Sequence, residues 1–293
     1  MATIRQLRRR IASVRNTAKI TNALQLVAAS KMRRAQERAL QARPYAEKIQ
    51  LVLSGLASAA ERGEDIAPHP LLVERPVEKV SVLHITPDRG LCGALNANLN
   101  RSTGTFIAGH EEPVQMVAVG KKGRDFFMRA GVEIAAEFTE LGDYPSELET
   151  NAISRLVMED FIEANVDRVY ISFAEFVNTA TQRPVVKQLL PISPPRMEDE
   201  EEAQEYRQDY IFEPSPEDVF DRLLPRYVDM LVYEAILESA ASEQSARMVA
   251  MKNATDNANE IASELTLTYN KARQEQITNE LLDIVGGAAA LEE

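Results

Sequence analysis

The chain has 293 residues, is 45% hydrophobic and 27% charged, and carries a net charge of -12 and a single cysteine. That length suggests about two domains of roughly 150 residues, no run approaches the ~20 apolar residues of a membrane span, and Cys92, alone, excludes an intrachain disulfide. The charge is unevenly placed: residues 1–60 hold 12 Lys and Arg against only Glu37 and Glu47, which leaves 21 basic and 43 acidic residues for the rest. Such a segment binds something anionic or lies against an acidic surface, and the rest of the same chain offers one.

Residues 1–60 predict one long helix. Ile4, Leu7, Ile11, Val14 and Ala18 step by three and four, and Leu24, Val27 and Met32 continue a drifting stripe, a narrow coiled-coil seam. Pro44 is expected to kink it, because proline removes a backbone donor and clashes one turn back. The Arg-rich, acid-free start has the composition of a mitochondrial transit peptide, but the helical pattern runs past residue 40 with no break for cleavage. Residues 61–75, with a glycine and two prolines, read as a linker. An α/β domain is expected over 76–215. Its strands are "VEKVSVLHIT", "VQMVAVG", "DRVYISFAEF" and "RPVVKQLLPI", and helical stretches separate the first three, which suggests a mostly parallel sheet with helices on its faces. Within it, residues 196–209 are an acidic run expected to be a solvated loop. Residues 216–293 predict a second long helix, free of proline and glycine between Pro225 and Gly286. From 217 onward it holds six basic and 15 acidic residues. Two long helices of opposite charge, neither able to cover its apolar seam alone, are expected to wrap antiparallel around each other.

Candidate chemistry is sparse. "HITPDRGLCGALN" sets Cys92 at a strand-to-helix turn, as in a nucleophile elbow, but Ala94 stands where that motif needs glycine. His84 is expected inside a strand, and His69 and His110 in loops, so no general base is evident. The rival reading is a small packed thiol beside turn glycines Gly90 and Gly93. "VAVGKKGR" follows a strand and has the glycines and lysines of a phosphate-binding turn, yet Gln115 occupies the position of the first P-loop glycine. No zinc or calcium spacing occurs, so no metal or cofactor is expected. Arg8, Arg9, Arg10, Lys31, Arg33 and Arg34 supply phosphate-binding charge, but the acidic chain has no aromatic residue before Tyr45, which argues against nucleic acid.

Four stretches carry a resemblance: "RIASVRNTAKITNALQLVAASK" (10–31), "DRGLCGALN" (88–96), "ASEQSARMVAMKNATDNA" (241–258) and "YNKARQEQITNELLDIVGGAAA" (269–290). The chain resembles the γ subunits of F-type ATP synthases from about Ile4 to Ala290. Leu24 stands where the family usually has Met, a conservative volume swap, and the inserted regulatory cysteine pair of the chloroplast form is missing. The resemblance implies an α/β domain plus a long antiparallel coiled coil formed by the N- and C-terminal helices. It implies a non-catalytic rotor shaft between the membrane c-ring and the α and β subunits, with an ε subunit alongside. Carried over by the resemblance, contacts to the β subunits fall on Arg247, Arg273, Gln274, Thr278 and Glu280. Contacts to ε and the c-ring fall on Tyr210 and Glu213, and a tip bearing on Gly286, Gly287 and Ala288. Membrane association would be peripheral, through the complex, at the cytoplasmic face of a bacterial-type plasma membrane. The rival from the residues themselves is a cysteine-dependent hydrolase with a helical oligomerisation arm.

Overall fold

The computed structural model describes residues 3–61, 69–142, 145–193 and 216–289. They divide into two compact units, residues 29–246 and a second that joins residues 1–28 to 247–293.

The unit of residues 29–246 is built on a five-stranded sheet. Its strands are β1 (Val80–Ile85), β2 (Val114–Val119), β3 (Glu133–Phe138), β4 (Arg168–Phe176) and β5 (Gln182–Leu190). They lie in the order β3-β2-β1-β4-β5, with β5 alone antiparallel. The helices are α1 (Ile4–Glu61), α2 (Leu95–Ala108), α3 (Lys121–Arg129), α4 (Glu147–Ile162) and α5 (Pro216–Ala289), of which α1 and α5 run on into the other unit. The period-2 alternation of the strands sorts the core into two faces. Leu83, Ile85, Val117, Val119, Val169, Ile171 and Phe173 pack with Ile153, Val157 and Phe161 of α4 and with Phe220, Leu224, Val228 and Val232 of α5. The intervening positions face the other way: Met116 and Ala118 meet Phe127 of α3, and Ala174 meets Leu95 and Leu99 of α2. Each fully buried Leu or Phe here contributes about 1.5–3 kcal/mol relative to exposure.

Four strands and three intervening helices lie where the sequence predicts them; β3 does not, having been read as no element. Its residues alternate exposed and half-buried at the sheet edge, and Glu and Ala are weak strand formers. The expected linker is also only partly one. Leu71, in a 3-10 turn over Pro70–Leu72, is fully buried. Arg75 donates to the carbonyls of Phe161 and Val166 at the end of α4. The helix α1 is continuous through Pro44.

Candidate functional site

Two places have the makings of a site: the turns at the carboxyl ends of the parallel strands, where open α/β sheets bind ligands, and the helical unit.

The turns are closed by the chain itself. Cys92 is 1% exposed, packed among Leu95, Leu99, Ala174 and Ala246, and its Sγ accepts from Asn96 Nδ2 at 3.3 Å. A buried thiol of this kind is a small core side chain, not an exposed nucleophile. The turn geometry also differs from expectation. The left-handed residues are Leu91 (φ 64°) and Gly93 (φ 60°), not Gly90. His84 is fully buried in β1. Its Nε2 donates to Asn100 Oδ1 at 2.9 Å, and its Nδ1 lies 3.2 and 3.3 Å from the hydroxyls of Thr103 and Ser172. Burial pushes the imidazole down to about 4, against a smaller upward effect of the Asn100 bond. His69 and His110 lie in loops, where His69 accepts from Leu71 N and His110 pairs with Glu112. The hydrolase reading falls with these placements.

The expected phosphate-binding turn is likewise filled. Gly120 caps α3 at φ 89°, and a Cβ there would stand 1.8 Å from the Thr86 carbonyl oxygen, so only glycine lets β1 and this turn meet. The place an anion would take at the helix start holds the Asp88 carboxylate. One of its oxygens accepts from Lys121 N and the other from Glu140 N, each at 2.9 Å. Ile236, Ser239, Ala240 and Glu243 of α5 cover this crevice, leaving a cavity of about 60 Å³. Ligand pockets run to roughly 300–1,000 Å³, so this one is too small for a nucleotide. Among the described residues no group of His, Cys, Asp and Glu is placed to hold a metal.

The helical unit is open instead. Along α1 a three–four alternation of buried and half-buried positions runs through Ile4, Leu7, Ile11, Val14, Ala18, Thr21, Gln25 and Ala28, with Leu24 half-buried beside Gln25. Of the expected continuation, Leu24 and Met32 are half-buried, whereas Val27 is not. Val27 is 51% exposed, because a heptad seam keeps its own spacing and accepts alanine or threonine in preference to a larger side chain off the line. On α5 the matching positions are Met251, Thr255, Ala258, Ala262, Leu265, Tyr269 and Ala272. Thr21 meets Thr255 (2.6 Å), and Arg8 donates to the Tyr269 hydroxyl (2.9 Å), so the two helices run antiparallel. The Arg8 guanidinium, with Arg273 also acting, holds the Tyr269 phenol below its usual range. Leu7 therefore lies level with Tyr269, and Ile4 with Ala272.

Beyond Ala272, α5 passes the start of α1 and continues to Ala289, another 17 residues or about 25 Å. Arg273, Gln274, Thr278 and Glu280 all fall at or past this point and are exposed. Glu280 is already engaged by Gln276 Nε2 at 2.7 Å. Arg247 stands apart, half-buried and engaged, roughly 40 Å back along the helix. Among them runs a stripe that the candidate residues left out: Ile277, Leu281, Ile284 and Val285, at i, i+4, i+7 and i+8, 44–68% exposed, with Leu282 beside them. The spacing was in the sequence; what the fold adds is that nothing in α1 reaches it. Gly286 does not stop the helix, which runs through Gly286, Gly287 and Ala288. Tyr210, Glu213 and the acidic run 196–209 lie outside the described residues.

A family model described as ATP synthase matches residues 3–291. The ATP synthase gamma chain of Dehalococcoides mccartyi (strain CBDB1) is 57% identical over 291 residues, covering 99% of this chain and 100% of that protein. The chain belongs to the ATP synthase γ-chain family. Other members are similar along their whole length: the gamma chain of Roseiflexus castenholzii is 48% identical over 300 residues, with both chains fully covered. Among solved structures, a chain of the central stalk and c-ring assembly of the Tetrahymena thermophila mitochondrial ATP synthase is 26% identical. It aligns with a TM-score of 0.60 over 80% of this chain and 99% of its own. A chain of the Euglena gracilis mitochondrial enzyme, at 21% identity, shares the fold with a TM-score of 0.66, over 98% of this chain and 94% of its own. The γ-chain family thus accounts for the sheet, for both long helices and for the four motifs that bracket them.

Proposed function

We propose that this chain is the central rotor shaft of an F-type ATP synthase, a subunit with no chemistry of its own that passes torque between a membrane c-ring and the nucleotide sites of an α/β ring. The observation that carries this reading is the terminal stretch of α5, an unpaired helix with an apolar stripe and a polar row side by side. An exposed stripe of this length is covered in a working assembly. In the rotor reading an apolar sleeve of the ring covers it, with Gly286, Gly287 and Ala288 as a featureless bearing surface at the end. Closed turns at the sheet support the absence of catalysis. Thiol and imidazole are packed away, and the anion place is taken by Asp88.

The mechanism follows from symmetry. A ring of three alike sites surrounds a shaft that is not threefold, so each β subunit meets a different face and is biased to a different nucleotide affinity. Moving one site from 1:99 to 99:1 takes about 5.5 kcal/mol of differential contact. Hydrogen bonds to charged groups contribute about 1.5–3 kcal/mol each, so a few contacts per β subunit suffice. Arg273, Gln274, Thr278 and Glu280 are grouped to supply them at one level, with Arg247 at a second. Tyr210 and Glu213 would serve the ε and c-ring end. None of the described helices is long and apolar enough to cross a membrane. In this reading the chain is peripheral and works at the cytoplasmic face.

The test is Gln274→Leu with Thr278→Val in a reconstituted assembly with α and β subunits. ATP turnover is expected to fall several-fold while the far-ultraviolet circular dichroism of the chain is unchanged. Full turnover in a well-assembled double variant removes these contacts from the account.

A further inference from the structure

Both helices of the helical unit keep a strict seam, yet much of that seam is too uniform to fix its own alignment. Ala18, Ala28, Ala258 and Ala262 are each under a tenth exposed. Register in a coiled coil comes from distinctive knobs and from polar residues placed at single seam positions. Alanine knobs are shallow and alike, and sliding one helix by a heptad sets Ala28 rather than Thr21 against Thr255. Twisting a two-stranded coil makes its helices slide along each other, so register is what a torque-bearing pair has to hold.

One layer brings a hydroxyl from each helix together. Thr21 is 9% exposed, and its Oγ1 lies 2.6 Å from Thr255 Oγ1. Each hydroxyl has one proton. Thr255 Oγ1 also lies within 2.8 Å of the Met251 carbonyl, and Thr21 Oγ1 within 3.1 Å of those of Thr17 and Ala18. One threonine therefore donates to its own helix and accepts across the seam, while the other donates across it. After a slip of one heptad Thr21 would face Met248 or Ala262, and Thr255 would face Val14 or Ala28. None of these carries a hydroxyl. Another hydrogen bond across the seam, Arg8 to Tyr269, is exposed, where water competes with it and its weight is small.

We propose that the Thr21–Thr255 hydroxyl pair fixes the axial register of α1 against α5, and so sets the height at which the last turns of α5 carry Gln274 and Thr278. The register itself does not depend on what those turns meet, so its test stands apart from the rotor reading.

The experiment is disulfide trapping in the full chain. Ile4→Cys with Ala272→Cys reports the observed register. Ile4→Cys with Leu265→Cys, or with Asn279→Cys, reports a slip of one heptad either way. Cβ atoms must come within roughly 4.5 Å to bridge, so each pair reads one alignment. With Thr21 and Thr255 in place, mild oxidation is expected to close the first pair about fivefold faster than either slipped pair, the factor that one net hydrogen bond of about 1 kcal/mol supplies. Thr21→Ala with Thr255→Ala should bring the slipped pairs to within about 1.5-fold of the first, and Thr21→Ser with Thr255→Ser should restore the preference. A role in stability alone would shift the melting temperature without changing which pair closes. Retention of the full preference by the double alanine variant overturns the proposal, as does its loss in the double serine variant. If the alanine variant loses helix by circular dichroism, Thr21→Val with Thr255→Val keeps the volume without the hydroxyls. Slipping there upholds the proposal, and an unchanged register overturns it.

Discussion

Acid should weaken the sheet unit through a single buried imidazole. His84 has no exposure and is neutral when folded, pushed down to about 4 chiefly by desolvation. Its Nε2–H is held by Asn100 Oδ1, whose own amide nitrogen donates to the Lys122 carbonyl at 3.4 Å. Gly123 leaves no slack: a Cβ there would lie 2.5 Å from the ring. In the unfolded chain the same group titrates near 6.5. Between pH 6.5 and 4 the unfolded chain therefore binds a proton that the folded chain refuses, and stability falls as pH falls through that window. The full loss is about 3 kcal/mol below pH 4, and about 2 kcal/mol is already gone at pH 5. Urea unfolding of the chain and of His84→Gln at pH 7 and pH 5 isolates the effect, because carboxylates and the other histidines contribute alike to both. The unsubstituted chain should lose about 2 kcal/mol more than the variant between these pH values. Equal losses would refute the reasoning and place a polar or hydrated environment around the ring.

Two further outcomes follow from the closed turns. Gly120→Ala drives a methyl into the Thr86 carbonyl at φ 89°, and is expected to cost on the order of 3 kcal/mol or more, read as lost soluble yield or a lowered melting temperature. Cys92 should react with an aromatic disulfide reagent only after denaturation. Cys92→Ala should lower stability by about 1 kcal/mol and leave the ATP turnover of a reconstituted assembly unchanged. A native-state reaction within minutes, or loss of turnover, would contradict its packed position.

The parts of this molecule that were legible in the sequence are those with strong periodicity. β1 is a short, mostly apolar run, broken by Ser81 and His84, and is buried at every position. The start of α1 steps cleanly from Ile4 to Ala18, and its seam is where that pattern puts it. Past Ala18 the apolar pattern holds only in part, with Leu24 and Met32 half-buried and Val27 exposed. Val27 is a better hydrophobe than Thr21, yet it is exposed and Thr21 is buried, because position on the helix, not hydropathy, decides what faces the partner. β3 escaped because an edge strand needs neither an apolar run nor good strand formers. The filled anion place at α3 was invisible for another reason. Asp88 is 33 residues from Lys121 in the chain, and only the β1–β2 pairing brings the two together. For the candidate contacts, sequence similarity supplied the residues. The fold supplied the fact that Arg273, Gln274, Thr278 and Glu280 stand where α5 has outrun α1.

The most direct measurement is the ATPase activity of purified α and β subunits titrated with this chain, with the chain alone as control. A rotor shaft should be silent alone and should raise the activity of the mixture many-fold, saturating at one chain per three pairs of α and β. Activity in the chain alone, or no change on mixing with folded partners, would contradict the central claim.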